Sequence, residues 1–161
     1  MEAPKNFDLV RSTPFAAELT ENECTKLATI IQTRLLQDNE LLIQEGRIDN
    51  TLYVITQGRL AVVKRVDDDE EELLHILKAG EIAGAMGFVD GTEHSASLRA
   101  IGECEIFILE RDKLESLITT HPMIVYRVMR AVIRSVHTIV RRMNNQYIQM
   151  TNYITKQRGK Y

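Results

Sequence analysis

Residues 80–100 read GEIAGAMGFVDGTEHSASLRA, and they break the otherwise regular alternation of strand-like segments in this chain. Glycines at positions 80, 84 and 87 allow the backbone to turn tightly and to approach another group closely. Residues 85–88 are long enough for one turn of helix, and backbone N–H groups at the start of a helix attract anions. The same glycines would also suit a tight corner of a β-barrel, so this stretch alone leaves both interpretations open.

The segments around this stretch have the texture of an all-β unit. Between residues 34 and 110, short apolar runs alternate with turn residues at a spacing of about ten residues, which is typical of a β-sandwich or β-roll. Turns are expected at Gly46, at Gln57-Gly58 and at Gly80. The acidic run 67–72 predicts a solvated hairpin loop, with a metal site as the weaker alternative because a contiguous run does not converge on one point. The expected strands are residues 41–43, 52–55, 60–63, 73–77, 96–100 and 105–109.

Helices are expected on both sides of the strands. Thr20 and Glu23 form a capping-box pattern, and the apolar face that follows them predicts a helix that continues to about Gln32. Apolar residues at helical spacing after residue 113 predict a second short helix, which ends near Pro122. Proline suits the first turn of a helix, so a further helix is expected to begin there.

This last helix is predicted to be long and to hold two copies of the chain together. It contains no Gly or Pro until Gly159, and its roughly 35 residues would span on the order of 50 Å. Its apolar residues recur at steps of three and four, which is the period of a coiled-coil seam. The first half can face both its own roll and a second subunit. The expected seam consists of Val125, Val128, Val132, Val136, Ile139 and Met143.

Charge supports a two-part organisation. The net charge is −3, but residues 121–161 contain eight Lys or Arg and no Asp or Glu, while all 23 acidic residues lie in 1–120. We therefore expect a roll over residues 1–120 and a dimerisation helix over 121–161, with the basic helix packed near the acidic part. The alternative is that the basic helix binds an external anion, such as a nucleic acid or an anionic membrane.

Several protein classes are not favoured. There is no apolar run near 18 residues, so no transmembrane segment is expected, and residues 1–10 lack the pattern of a signal peptide. Cys24 and Cys104 do not have metal-ligand spacing, and we expect them to be small apolar residues in a reducing cytoplasm. No nucleophile–base pair, metal signature or P-loop is visible, so a non-enzymatic protein without a certain cofactor is expected.

In the order of its elements, the chain resembles the cyclic nucleotide-binding domain family, the sensor half of bacterial catabolite-activator-like (Crp/Fnr-like) regulators. Four stretches carry the resemblance: Thr13–Thr20, Asn39–Gly46, Leu52–Leu60 and Gly80–Ala100. The resemblance implies an α+β fold: an antiparallel β-roll, or jelly roll, with N-terminal helices and a long C-terminal dimerisation helix. It also implies that residues 80–100 form a phosphate-binding cassette, and this name is kept below.

The cassette departs from the family pattern at its two polar anchors. Where the family has a Glu that binds the ribose 2′-hydroxyl, this chain has Ala85, and where the family has an Arg that pairs with the cyclic phosphate, it has His94, preceded by Glu93. A charge-assisted contact is worth roughly 1.5–3 kcal/mol, so the two losses imply at least a roughly hundredfold weaker affinity. We therefore predict that cAMP and cGMP do not bind tightly. The residues that the resemblance implies for ligand binding are Gly84, Ala85, Met86, Gly87, His94 and Ser95.

Three interpretations of the cassette remain open. It is a vestige packed by its own side chains, or it binds another small anionic ligand through the N–H groups of residues 85–87 with Ser95 and His94, or it still binds a cyclic nucleotide through substitute residues. The leading hypothesis is a stand-alone sensor or regulatory module that forms a homodimer and signals to an unknown protein partner. Only about 15 residues follow the point where a helix-turn-helix would begin, so DNA binding of that kind is not expected. A purely structural dimer is the plainest alternative.

Overall fold

The computed structural model describes residues 5–158. The ends of the two expected ranges, residues 1–4 and 159–161, lie outside the described residues, and so do the expected helix stop at Gly159 and the basic residue Lys160. The helices are α1 (Phe7–Arg11), α2 (Glu21–Ala28), α3 (Ala85–Asp90), α4 (Arg111–Glu115) and α5 (Pro122–Arg158), with a 3-10 helix at Pro14–Ala17. The strands are β1 (Gln32–Leu36), β2 (Leu41–Ile43), β3 (Thr51–Asp67), β4 (Glu70–Lys78), β5 (Ile82–Ala83) and β6 (Ser97–Glu110).

The six strands form one antiparallel sheet, which confirms the expected β-roll. The order along the sheet is β1-β6-β3-β4, while β2 pairs with β6 and β5 pairs with β3. The long strands β3 and β6 pair along most of their length, from Thr51 opposite Glu110 to Val63 opposite Ser97. Each of the other strands pairs with one of these two, β1 and β2 with β6, and β4 and β5 with β3. The cassette joins β4 to β6 along the chain and contains β5 and α3.

The turn expected at Gln57-Gly58 is wrong. Residues 52–55 and 60–63 belong to the single strand β3, whose register with β6 shifts on both sides of Gln57. Gly58 has φ +85°, and a Cβ there would lie 2.5 Å from the Glu103 carbonyl oxygen. The glycine therefore serves a bulge within a paired strand, where only the absence of a side chain lets the two backbones approach. The runs 96–100 and 105–109 likewise join into one strand, β6.

Three element boundaries also differ from expectation. Helix α2 begins with the predicted capping box of Thr20 and Glu23, but it ends at Ala28, and the unpredicted strand β1 follows. The acidic run is a hairpin, as expected, but β3 and β4 extend into it and leave a tight turn instead of a loop. Helix α4 begins and ends earlier than predicted, because the segment after residue 115 forms turns.

Two apolar clusters hold the fold together. One lies between the N-terminal helices, one side of the sheet and the first half of α5, and it is built around Phe15, Phe107 and Ile124. The other fills the roll around Leu60 and Ile106. Each cluster contains one of the two cysteines, and burial raises the pKa of both thiols, as small apolar residues should show.

Helix α5 is buried in its first half only. Val128 and Val132, two of the residues expected in a dimer seam, are 0% and 2% exposed because they pack into the chain's own core. Their side chains therefore leave almost no surface for a second subunit, and the seam itself stays a prediction. Val136 and Met143, further along the helix, are exposed.

The basic helix packs against acidic residues of the rest of the chain, as the charge asymmetry predicts. Arg130 and Arg134 both pair with the buried Glu18, and Arg127 pairs with Glu23. Further along the helix, Arg142 pairs with a carboxylate of the cassette. Four arginines of α5 are thus paired with carboxylates from the rest of the chain.

Candidate ligand-binding site

The first part of the cassette forms the predicted turn of helix. Gly84 precedes α3 with φ +78°, a left-handed conformation that suits glycine. A Cβ at Gly84 would lie 2.7 Å from the Thr51 carbonyl oxygen and 3.1 Å from the Tyr53 ring. The position therefore needs glycine for two reasons, its backbone conformation and the close approach of the cassette to β3.

Gly87 brings α3 against the second part of the cassette. A Cβ at this position would lie 2.9 Å from the Asp49 carbonyl oxygen and 3.0 Å from Cε1 of His94. The imidazole of His94 thus packs directly on the backbone of α3. Gly87 itself is buried, so it lies behind the site and supports it.

His94 faces a carboxylate of its own chain. The residue is 9% exposed, and its Nε2 lies 3.1 Å from Oδ1 of Asp49, without the alignment of a hydrogen bond. Asp49 also accepts hydrogen bonds from the Thr51 backbone N–H (3.1 Å) and from the Tyr53 hydroxyl (3.0 Å). Burial and the nearby Asp49 raise the pKa of Tyr53 to about 12. The nitrogen that we expected to meet an anion therefore faces a carboxylate of its own chain, which accepts hydrogen bonds from Thr51 and Tyr53.

A cavity of about 690 Å³ lies between the roll, α3 and α5. Five of the six expected ligand-binding residues border it, namely Gly84, Ala85, Met86, His94 and Ser95. Met86 does not fill the space, because its side chain is 66% exposed, and Phe88 is buried in the neighbouring core. Most of the remaining wall is apolar: Ile43, Val62, Leu74, Leu77, Ile82, Ala83, Ala96, Leu98, Val136, Ile139, Val140 and Met143.

Four polar residues that border this cavity were not predicted as site residues, namely His75, Glu93, Arg142 and Gln146, and two of them lie close to Glu81. Arg142 of α5 donates a hydrogen bond of 3.1 Å from Nη1 to Oε1 of Glu81, and Nε2 of His75 lies 3.9 Å from the same oxygen. The second oxygen of Glu81 accepts from the Lys78 backbone N–H at 2.8 Å. Arg142 directly precedes Met143 in the predicted seam, and this proximity is the only sequence signal that could have placed it near the site.

The described residues lack two features, a metal-ligand cluster and a membrane-spanning helix. Within residues 5–158, no cluster of His, Cys, Asp or Glu is arranged to hold a metal ion. In the same range, no helix has both the length and the apolar character that crossing a membrane requires.

Comparison with known proteins agrees with this geometry. The family model described as the cyclic nucleotide-binding domain matches residues 33–121. The Salmonella typhimurium cAMP-activated global transcriptional regulator CRP is 30% identical over 117 residues, which cover 71% of this chain and 56% of that protein. The chain thus spans about half the length of the curated relatives it matches.

Solved structures show the same fold at lower identity. A cyclic nucleotide-binding domain from Methylobacillus flagellatus has a TM-score of 0.82 and 20% identity, and the match covers 90% of this chain and 85% of that one. The Thermus thermophilus catabolite activator protein has a TM-score of 0.67 and 22% identity, over 84% of this chain and 63% of that one. The family match and the antiparallel roll agree, and the chain belongs to the cyclic nucleotide-binding domain family.

Proposed function

We propose that this chain is a non-enzymatic sensor module, in which a small ligand in the cavity between the roll and α5 changes how α5 packs. The observation that carries this proposal is that Val136, Ile139, Val140 and Met143 of α5 form one wall of the cavity. A ligand that contacts both the roll and the helix binds one arrangement of α5 better than another. Its binding then shifts the population toward that arrangement.

The ordinary cyclic nucleotides cAMP and cGMP are not tight ligands of this site. Ala85 offers no acceptor for a ribose hydroxyl, and Nε2 of His94 faces Asp49. Glu93 borders the cavity and adds negative charge there, which opposes a phosphate. Losing two charge-assisted contacts of roughly 1.5–3 kcal/mol each corresponds to a roughly hundredfold or greater loss of affinity.

A second candidate is a cyclic nucleotide sensor that uses a substitute cation. The observation that favours it is Arg142, whose guanidinium borders the cavity from the α5 side. This candidate requires cAMP or cGMP to bind tightly to the unmodified protein and to lose affinity when Arg142 is changed.

The exposed half of α5 is the proposed route of the signal, through contact with a second copy of the chain. Met143 is the last residue of the expected seam, and Met150 follows it by seven residues on the same face of the helix; they are 60% and 58% exposed. The double variant Met143→Glu/Met150→Glu should convert a dimer to a monomer, because it places charges in the seam. Asn145→Glu/Asn152→Glu, on another face of the helix, is the matched control and should leave the dimer intact. Sedimentation equilibrium measures both, and a monomeric parent protein would contradict the dimer.

A thermal-shift screen tests the sensor proposal. Cyclic mono- and dinucleotides and small organic acids are tested, and a ligand at a hundred times its Kd should stabilise the folded state by about 2.7 kcal/mol. Val140→Trp fills the cavity from α5 and should abolish the shift. Ile148→Trp, on the same helix beyond the cavity, is the control and should retain it. A shift that survives Val140→Trp, or the absence of any shift in the whole screen, contradicts the proposal.

A further inference from the structure

The walls of the cavity restrict its ligand to a largely apolar body. Twelve apolar side chains from the roll and α5 surround a space of about 690 Å³, within the range of about 300–1,000 Å³ that small-molecule sites span. A sugar or another hydroxyl-rich group against these side chains would leave its polar atoms without partners. Each polar atom of a ligand that lost its hydrogen bonds to water in this way would weaken binding.

Two side chains with nitrogen atoms that lack hydrogen-bond partners, Arg142 and His75, lie where α5 crosses the β4–β5 connection. Among the described residues, Arg142 donates one hydrogen bond, to Glu81, and its side chain is 33% exposed. Nε2 of His75 is buried, borders the same cavity and has no hydrogen-bond partner within residues 5–158. A guanidinium has five N–H donors, so Arg142 keeps donors that Glu81 does not use, and the imidazole of His75 approaches the same Glu81 oxygen.

The part of the cavity beside α3 is less favourable for an anion. Nε2 of His94 also has no hydrogen-bond partner within residues 5–158, but it lies only 3.1 Å from the Asp49 carboxylate, which would repel an anion. Ala85 has no polar side chain, and Glu93 adds a negative charge to this part of the cavity. An anionic group is therefore favoured at the α5 end and disfavoured at the α3 end. Because Glu81 already offsets the charge of Arg142, an anion with one negative charge is favoured here over an anion with two.

We propose that the cavity binds a small organic monoacid with an apolar body, whose carboxylate is bound by Arg142 and His75. This inference rests on the proposed sensor function and names the ligand class of the same site. The apolar body lies against the roll and α5, and the carboxylate accepts hydrogen bonds from the free donors of Arg142 and from Nε2 of His75. Glu81 keeps its hydrogen bond from the Lys78 backbone N–H.

Isothermal titration calorimetry on the full chain, with 4-phenylbutyrate and octanoate as probes, tests this assignment. Arg142→Gln should weaken binding roughly tenfold to hundredfold, because it removes a charge-assisted hydrogen bond. The uncharged probes 4-phenylbutyramide and octanamide should be weaker by a similar factor against the parent protein. Arg141→Gln, which removes the neighbouring charge that does not border this cavity, is the control and should change the affinity less than about twofold.

The variant Arg142→Lys and a melting curve for every variant distinguish a loss of binding from a loss of folding. Arg142→Lys retains the charge but not the planar fork, and it should bind the acids with intermediate affinity. Equal binding of acid and amide, or equal binding by the parent and a folded Arg142→Gln, overturns the monoacid assignment. If neither acid binds while another compound of the screen stabilises the protein through the cavity, the assignment fails and the sensor proposal stands. If no compound binds at all, both fail.

Discussion

Replacing Gly84 by alanine should destabilise the protein more than the same replacement at Gly80, although both glycines have left-handed backbones with φ +78° and φ +88°. At Gly80, an added Cβ meets nothing within 4 Å, so Gly80→Ala should cost only the left-handed conformation, about 1–2 kcal/mol. At Gly84, the added Cβ would lie 2.7 Å from the Thr51 carbonyl oxygen, which is backbone of β3 and cannot rotate away.

The extra cost at Gly84 is that of overpacking, about 1–3 kcal/mol, and it adds to the conformational cost. Gly84→Ala should therefore lose about 2–5 kcal/mol in total, still within the stability of an ordinary domain. Urea unfolding followed by circular dichroism measures both variants, with unchanged m-values as the check that the same transition is compared. Equal losses at the two positions would refute the close approach of the cassette to β3.

Two other predictions concern single buried groups. The side chain of Glu18 is buried between two arginines of α5, so Glu18→Gln should lower the free energy of unfolding by about 1–3 kcal/mol. Glu21→Gln, at an exposed ion pair, should lower it by less than about 1 kcal/mol, and equal losses in urea unfolding would contradict the pairing of α5 with Glu18. Burial and Asp49 raise the pKa of Tyr53 to about 12, so this proton stabilises the folded state below about pH 10 and the stability is lost as the pH rises toward 12. In the parent protein, the free energy of unfolding should fall by up to about 1.4 kcal/mol per pH unit in this range, and Tyr53→Phe should remove that fall. If the slope between pH 9 and 11.5 is the same in both proteins, Tyr53 is not the group responsible.

Features set by local sequence were predictable. The capping box of Thr20 and Glu23 involves residues three apart, and the start of α5 follows from the fixed φ of Pro122. The turn of helix at residues 85–90 follows from the glycines around it. In each case a few neighbouring residues determine the backbone, and tertiary packing does not oppose them.

Features set by contacts between distant residues were not predictable. Gly58 suits a turn as well as a bulge, and only the pairing of β3 with β6 distinguishes the two. Nothing in the local sequence shows that His94 faces Asp49, or that Arg142 reaches Glu81 across 61 positions of chain. Five of the six expected cassette residues border the cavity. The orientation of His94 and the contribution of α5 to the cavity could be seen only in the folded structure.

Titration of cAMP into the parent protein and into the double variant Ala85→Glu/His94→Arg tests most directly whether two missing polar anchors account for weak nucleotide binding. Restoring a carboxylate for the ribose hydroxyl and a guanidinium for the phosphate should tighten the dissociation constant by roughly a hundredfold or more, with each single variant in between. Melting curves of all four proteins establish that they are folded. Low-micromolar binding by the parent protein, or a folded double variant that binds cAMP no more tightly than the parent, would contradict the account.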